Sequence, residues 1–423
     1  MNLTRGTTLG KRGRAGALCL AFFAALFNQG CDPKPEPAAT QAEVHQLVAG
    51  ANEFAMALFR PLARNPENMV FSPYGIHEAL ALAGGGANGA TAQEFRTLLR
   101  TTLPEGRAFQ AYRALDTQLE TSAGWAKRGT PTTVRLANAL WVDRILDLKK
   151  DFRAKAQAGF RATVETVDFE AAPQEAMRRI NEAVSRGTEG NIPVILTELP
   201  RLTRVVLTNA VYVKGGWDLT FEESRTLPGP FTPLQGGKAT TPLMHGCAAY
   251  SWATVDGCQA LGMDFKEGPL RMVVLLPERA HFKAFEEELT AERLWKILGS
   301  LRSNGDEFLV DVTMPKFKFE MDSPVKDAIQ SLGLSQAFTP GADFSRLSGR
   351  PLMIDKFVHR ATITVNEKGA EAAAVTSMPG VELSDPDSAK PKIIPFKADH
   401  PFVFLIQDRE SGVILFMGHY MHP

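Results

Sequence analysis

The chain has 423 residues, 44% of them hydrophobic and 22% charged. That balance is ordinary for a globular fold and excludes a disordered or collagen-like chain, while four cysteines in 423 residues exclude a disulfide scaffold. Forty-seven basic residues against 47 acidic ones leave no net charge, so no global electrostatic ground exists for a nucleic-acid partner.

Lys11, Arg12 and Arg14 precede an apolar run from Ala15 to Phe27, followed by Gly30 and Cys31. Charge and then a short apolar run is the order of an export signal, so residues 1–31 are set apart from the fold. The run is shorter than the roughly 20 residues a bilayer span needs. Residues 32–40 have the Pro-rich composition of an extended linker. The tract resembles a bacterial lipoprotein start, which implies cleavage before Cys31 and a lipid on its thiol. Asn28 and Gln29 stand where such starts usually have Leu and a small residue, so export without lipidation stays open. In both cases the protein is extracellular or anchored at the cell envelope, and any membrane attachment runs through Cys31 alone.

No linker divides residues 41–423, which read as one domain. Val44, Leu47, Val48, Ala51, Phe54, Ala55, Leu58 and Phe59 recur at helical spacing until Pro61, predicting a first helix that stops there. A second helix is expected through Ile76, Ala79, Leu80 and Ala83, and a third after Thr91. Strand patterns follow at 134–142, 205–213, 272–276, 308–319, 357–365, and in a closing pair at 402–406 and 413–417 joined by a turn at 408–412. Helices early and strands late predict an α+β fold rather than alternating βαβ units.

Enzyme signals are weak. Gly84 to Gly89 matches G-x-G-x-x-G but follows a helical pattern, where a dinucleotide fingerprint needs a strand, so it reads as a helix stop. Ser323-Pro324-Val325-Lys326 matches the S-x-x-K of penicillin-interactive enzymes but lacks a K-T-G partner, and Ser323 with Pro324 reads better as a helix cap. No metal-binding spacing occurs and no cofactor is expected. Once the signal is removed Cys247 and Cys258 remain. With a turn near Val255-Asp256-Gly257 they lie out of disulfide reach.

The informative segment runs from Val365 to Ser377, directly after a strand pattern. Its small residues have low strand propensity and predict an exposed loop. Taken as an extended chain, however, Ala370, Ala372, Ala374 and Thr376 share one face, while Glu367, Gly369, Glu371 and Ala373 share the other. One face is small enough to slide into a packed sheet and the other is suited to solvent. That pattern fits a segment with two states, exposed loop and inserted strand.

Here the chain resembles the serpins, from about residue 41 to its end. Asn366-Glu-Lys-Gly-Ala-Glu-Ala-Ala-Ala374 resembles the hinge of inhibitory members. Asn68-Met-Val-Phe-Ser72-Pro73, Gly86-Ala-Asn-Gly89-Ala-Thr91-Ala-Gln-Glu94, Leu136-Ala-Asn-Ala-Leu-Trp141, Thr208-Asn209-Ala-Val-Tyr-Val-Lys-Gly-Gly-Trp217, Met314-Pro-Lys316-Phe-Lys-Phe-Glu320, His359 and Leu415-Phe-Met-Gly418 follow in family order. The resemblance implies an α+β fold with early helices on a large central sheet, two smaller sheets and an exposed reactive-centre loop at about 367–395.

It implies no catalytic residues. Ser72, Asn209 and His359 match the polar cluster called the shutter; Trp217, Lys316 and Glu367 match the breach where the loop first enters the sheet. Gly75 replaces a usual shutter serine, and Ala370 replaces the usual Thr or Ser at the first inserted side chain. The implied partner is a serine protease, or alternatively a cysteine protease, trapped as an acyl-enzyme by a monomeric inhibitor. Counting about 17 residues from Glu367 places the cut at Leu383-Ser384, which suits the apolar specificity pocket of a chymotrypsin or subtilisin type enzyme, while counting back from Phe396 lands nearer Asp387. A non-inhibitory serpin, acting as a binding or chaperone module, is the alternative from another class. The small-residue hinge favours inhibition.

Overall fold

Thr40 opens the first helix with a capping box: its hydroxyl accepts from the Glu43 N–H at 3.3 Å and the Glu43 carboxylate accepts from the Thr40 N–H at 2.8 Å. The computed structural model of the chain describes residues 37–423 except 124–131, 161, 201, 267, 324 and 371–390, with the side chains of 121–123 and 322–323 also left out. In chain order the elements begin α1 (Gln41–Leu62), β1 (Met69–Phe71), α2 (Pro73–Gly84), α3 (Gly89–Leu99) and α4 (Glu105–Ala123). Next come β2 (Thr133–Asp143), α5 (Lys150–Phe160), β3 (Thr163–Val167), α6 (Pro173–Gly187) and β4 (Val205–Gly216). β5 (Leu227–Phe231), β6 (Ala239–Ala248), β7 (Ser251–Val255), β8 (Cys258–Asp264), β9 (Leu270–Pro277), α7 (Phe282–Glu288) and α8 (Ala291–Ser300) follow. The rest is β10 (Phe308–Pro315), β11 (Phe317–Ser323), α9 (Val325–Ser331), β12 (Lys356–Val365), β13 (Gly369–Ala370), β14 (Lys392–Lys397), β15 (Phe402–Asp408) and β16 (Ile414–Tyr420).

Three sheets form. The central one has the order β11-β12-β4-β2-β3, with β13 added on β4; a second runs β1-β16-β15-β9-β8-β7 and a third β14-β10-β6-β5. α2 packs against β2 and β4 of the central sheet and against β16 of the second. Sandwiched in this way it is buried from Pro73 to Ala83, which explains a sequence apolar nearly all round. Arg107 on α4 donates to the carbonyls of Pro37 and Ala38 and pairs with Glu43, so the last residues of the tract read as linker are held against the fold.

Several expectations change. Pro61 lies inside the last turn of α1 rather than stopping it, and the Ala63 N–H still donates to Phe59 O at 2.8 Å. Near a helix end the missing proline N–H removes a single bond, so the turn survives. The run at 308–319 is two strands in different sheets, β10 and β11, broken at Lys316. Helices are not confined to the early half, since α5 and α6 separate central strands and α7 to α9 lie late. The β7–β8 turn falls where expected, with Asp256 and Gly257 at φ 49° and 75°. Cys247, on β6, and Cys258, on β8, are both free thiols.

Candidate functional site

Register builds the first half of the site. β4 pairs in parallel with β12 and antiparallel with β2, placing Asn209 opposite both His359 and Asn138. The three side chains thus form one row across the central sheet, under the start of α2. Ser72 caps α2, its hydroxyl accepting from the Gly75 N–H at 3.2 Å with Pro73 in the first turn. The Ser72 N–H donates to His359 Nε2 at 3.1 Å, which makes Nε2 an acceptor and leaves the ring proton on Nδ1. Nδ1 then donates to Asn209 Oδ1 at 2.5 Å, and Asn209 Nδ2 donates to Asn138 Oδ1 at 2.5 Å. Burial drives the His359 pKa down to about 3, so the imidazole is neutral and the chain of donation keeps its direction. Gly75 is explained by the same row. A Cβ there would stand 2.6 Å from Val211 Cγ2 and 2.7 Å from Asn209 Nδ2.

The second half lies where β12 and β4 part. Their pairing runs up to Ala361 opposite Val211, short of the strands' ends at Val365 and Gly216. Beyond β12 the chain reverses in a tight turn: the Asn366 side-chain oxygen accepts from the N–H groups of Lys368 and Gly369 at 2.9 and 3.1 Å. β13 then runs back antiparallel to β4, Gly369 opposite Gly216 and Ala370 opposite Gly215. Trp217 clasps the turn from below, its Nε1 donating to Asn366 O and its N–H to Lys368 O, both at 2.9 Å. Gly369 has φ +150°, and a Cβ on it would lie 2.1 Å from Gly215 O, so only glycine fits.

Glu367 departs from the extended reading, which placed it on the solvent face with Gly369. The turn tucks its carboxylate inward, where Lys316 Nζ donates to it at 3.0 Å. Burial pushes the Glu367 pKa up, but hydrogen bonds to its own N–H and to Lys316 outweigh this and hold it below the ordinary value. Lys316 is available because it stands at the break between β10 and β11. Ala370 is 2% exposed, so the first two strand-forming hinge residues already occupy the top of the central sheet.

Glu371, Ala372, Ala373, Ala374, Leu383, Ser384 and Cys31 lie outside the described residues. β11 ends at Ser323, its backbone opposite His359, and α9 starts at Val325. The expected cap by Ser323 and Pro324 also falls outside what is described. Sequence reading missed Asn138, Glu78, Asp116 and Tyr74, which continue the polar row into α2 and α4. Glu78 carried a signal, a charged residue inside the apolar run Ile76 to Ala83.

The family model described as Serpin (serine protease inhibitor) matches residues 49–423. An uncharacterized serpin-like protein of Thermococcus kodakarensis is 37% identical over 378 residues, covering 89% of this chain and 86% of its own. The human leukocyte elastase inhibitor is 31% identical over 397 residues, 90% of this chain and 100% of its own. Among solved structures, Serpin48, described as a highly specific serpin of the insect Tenebrio molitor, superposes with a TM-score of 0.77 at 26% identity, covering 89% of this chain and 98% of that one.

Proposed function

The chain belongs to the serpin family, whose members typically inhibit proteases, and from that premise we propose that it is a suicide-substrate inhibitor of serine endopeptidases. The observation that carries this reading is β13. The hinge is already turned back and paired at the top of the gap between β12 and β4, so further insertion is the continuation of an existing strand. In the proposed reaction the protease hydroxyl attacks the carbonyl of Leu383, the peptide bond breaks, and Ser384 leaves with the new amino terminus. The freed hinge zips into the sheet before water reaches the ester. The catalytic groups belong to the protease, and this chain contributes the strand and its receiving gap.

Leu383 at the cut favours enzymes of chymotrypsin or subtilisin type, with cysteine endopeptidases as a secondary target class. The apolar run before Cys31 supports export, to the exterior or to a lipid anchor at Cys31. Incubation with a protease of each type, followed by denaturing electrophoresis, is expected to give a covalent complex. Mass spectrometry of the released peptide is expected to start it at Ser384. Cleavage with no complex from any of them would favour the non-inhibitory binding module instead, and another new terminus would move the reactive bond.

A further inference from the structure

The polar row of His359, Asn209 and Asn138 clasps β12, β4 and β2 partway along their length, and a second tie joins the same three strands at the end where β4 and β12 begin. Asp355, the residue before β12, accepts on Oδ2 from two successive N–H groups, Arg204 at 2.7 Å and Val205 at 2.8 Å. Its own N–H donates to Val205 O at 3.1 Å. The ladder between β12 and β4 starts one residue further on, Lys356 opposite Val206. On its other side Arg204 is anchored to β2. Its carbonyl accepts from the Asp143 N–H at 2.7 Å, and its guanidinium donates to the Asp143 carboxylate at 3.3 Å and to Glu170 at 2.8 Å. Asp143 is 0% exposed and also accepts from the N–H groups of Ile145 and Phe169, so that anchor is fixed.

The two sides of the tie differ in what happens when the sheet opens. β4 and β2 are paired from Val205 opposite Val142 to Lys214 opposite Thr133, and a strand entering between β12 and β4 leaves that ladder whole. Arg204 therefore stays with β2, and the bonds to Asp355 are the ones that must give. Neighbouring strands lie about 4.8 Å apart, so one strand between β12 and β4 sets them about 9.6 Å apart, more than an aspartate side chain bridges. Carried on in the register of Gly369 opposite Gly216, an inserting hinge would bring Ala374 opposite Val211, where the β12–β4 ladder now ends, and Gly380 opposite Val205. The last rows of a full insertion thus fall on the tie.

We propose that Asp355 is a bolt on the lower end of the central sheet, shut in the intact chain and drawn when the hinge inserts to its full length. A carboxylate that accepts from backbone N–H groups makes charge-assisted bonds, stronger than the neutral ladder bonds beside them. Opening row by row from the hinge therefore meets a stronger obstacle at its last rows. Asp355 is a positioning residue: it touches neither the protease nor the reactive bond, and acts by holding β4 against β12. The insertion it resists rests on the inhibitory reading, whereas the bolt itself is a property of the intact fold.

The test compares the wild type, Asp355→Ala and Asp355→Asn, each melted by circular dichroism at one scan rate as the intact full chain and after nicking between residues 378 and 390. Asp355→Ala is expected to lower the intact melting temperature by roughly 3 °C or more and to leave the nicked one unchanged within about 1 °C, because the bolt is already drawn there. A bond kept in both states would lower both temperatures. Asp355→Asn keeps an acceptor oxygen without the charge and is expected to lose less than half as much. In the intact chain, hydrogen exchange at the Arg204 and Val205 amides is expected to quicken about tenfold or more in Asp355→Ala. Equal falls in intact and nicked Asp355→Ala, a fall in neither, or unchanged exchange overturns the bolt; if Asp355→Ala does not fold, Asp355→Asn decides by the same comparison. A wild type that gains no melting temperature on nicking refutes the insertion reading instead, and the exchange in the intact chain then judges the bolt alone.

Discussion

Gly75 shows how one side chain's absence shapes a site. The family's usual serine at this position would project into the space held by Val211 and the Asn209 amide, whose contacts would shrink to under 3 Å. Here the row is completed from the other side, by Asn138 and Glu78, and the glycine is what lets Asn209 reach across. Gly75→Ser, the substitution that restores the familiar residue, is therefore expected to destabilise the intact chain by about 1–3 kcal/mol through overpacking. A fall of roughly 2–5 °C in its melting temperature checks this; an unchanged or raised value would mean that the row can take in a hydroxyl. The His359–Asn209 bond should be lost with it, readable as a shifted imidazole proton resonance.

At the scale of elements, the hinge is where sequence and structure diverge most usefully. Alternation in β12 was legible because burial alternates along it from Phe357 to Val365, and the row of His359, Asn209 and Asn138 follows from register once the strands are paired. Of the expected small face of the hinge, Ala370 is the one described residue, and it is buried, while Ala372, Ala374 and Thr376 lie outside the described residues. The reversal at Glu367 and Lys368 was not read, because extended parity assumes a straight chain. Asn366 three residues before Gly369 was its local signal, an Asx-type turn. The sheet change at Lys316 had a local signal that went unread: the inward face is Val310, Val312 and Met314 in β10 but Phe317, Phe319 and Met321 in β11, so the alternation changes parity at Pro315-Lys316. The bond from Asn138 to Glu78 could not be read either, because it needs α2 and β2 brought together in space. Because β13 is already seated, Ala370→Arg acts twice, displacing β13 from β4 in the intact chain and blocking the next step of insertion. Burying an unpaired guanidinium costs several kcal/mol, so insertion is expected to fall behind deacylation. The variant should be cut at the wild-type bond while yielding little or no covalent complex, as densitometry of denaturing gels will show; wild-type complex yield would place the first inserted side chain elsewhere.

The whole molecule carries these local devices to one energetic consequence. Among the described residues Gly369 and Ala370 are the hinge residues paired to β4, and on the inhibitory reading the gap between β12 and β4 awaits the ladder that a longer strand would supply. A full strand would add roughly ten hydrogen bonds at about 1 kcal/mol net each, comparable with the 5–15 kcal/mol that holds an ordinary domain together. On that reading the intact fold is a kinetic trap, kept from its lower state by the uncut chain between hinge and β14 and by the clasp across β12, β4 and β2. Cutting the chain between residues 378 and 390 removes the tether, and the strand should enter from the turn already formed at Asn366. Nicking a loop normally leaves stability unchanged or lowers it. Here the cleaved chain is expected to melt far above the intact one, by about 10–20 °C from the ladder alone, since roughly ten added bonds at about 1 kcal/mol each raise the midpoint by about 1–2 °C per kcal/mol for a fold of this length, before apolar burial is counted. Melting curves of intact and nicked protein at one scan rate decide the matter. An equal or lower temperature after cleavage would mean that β13 is as far as the hinge goes, and that the chain binds its partners without trapping them.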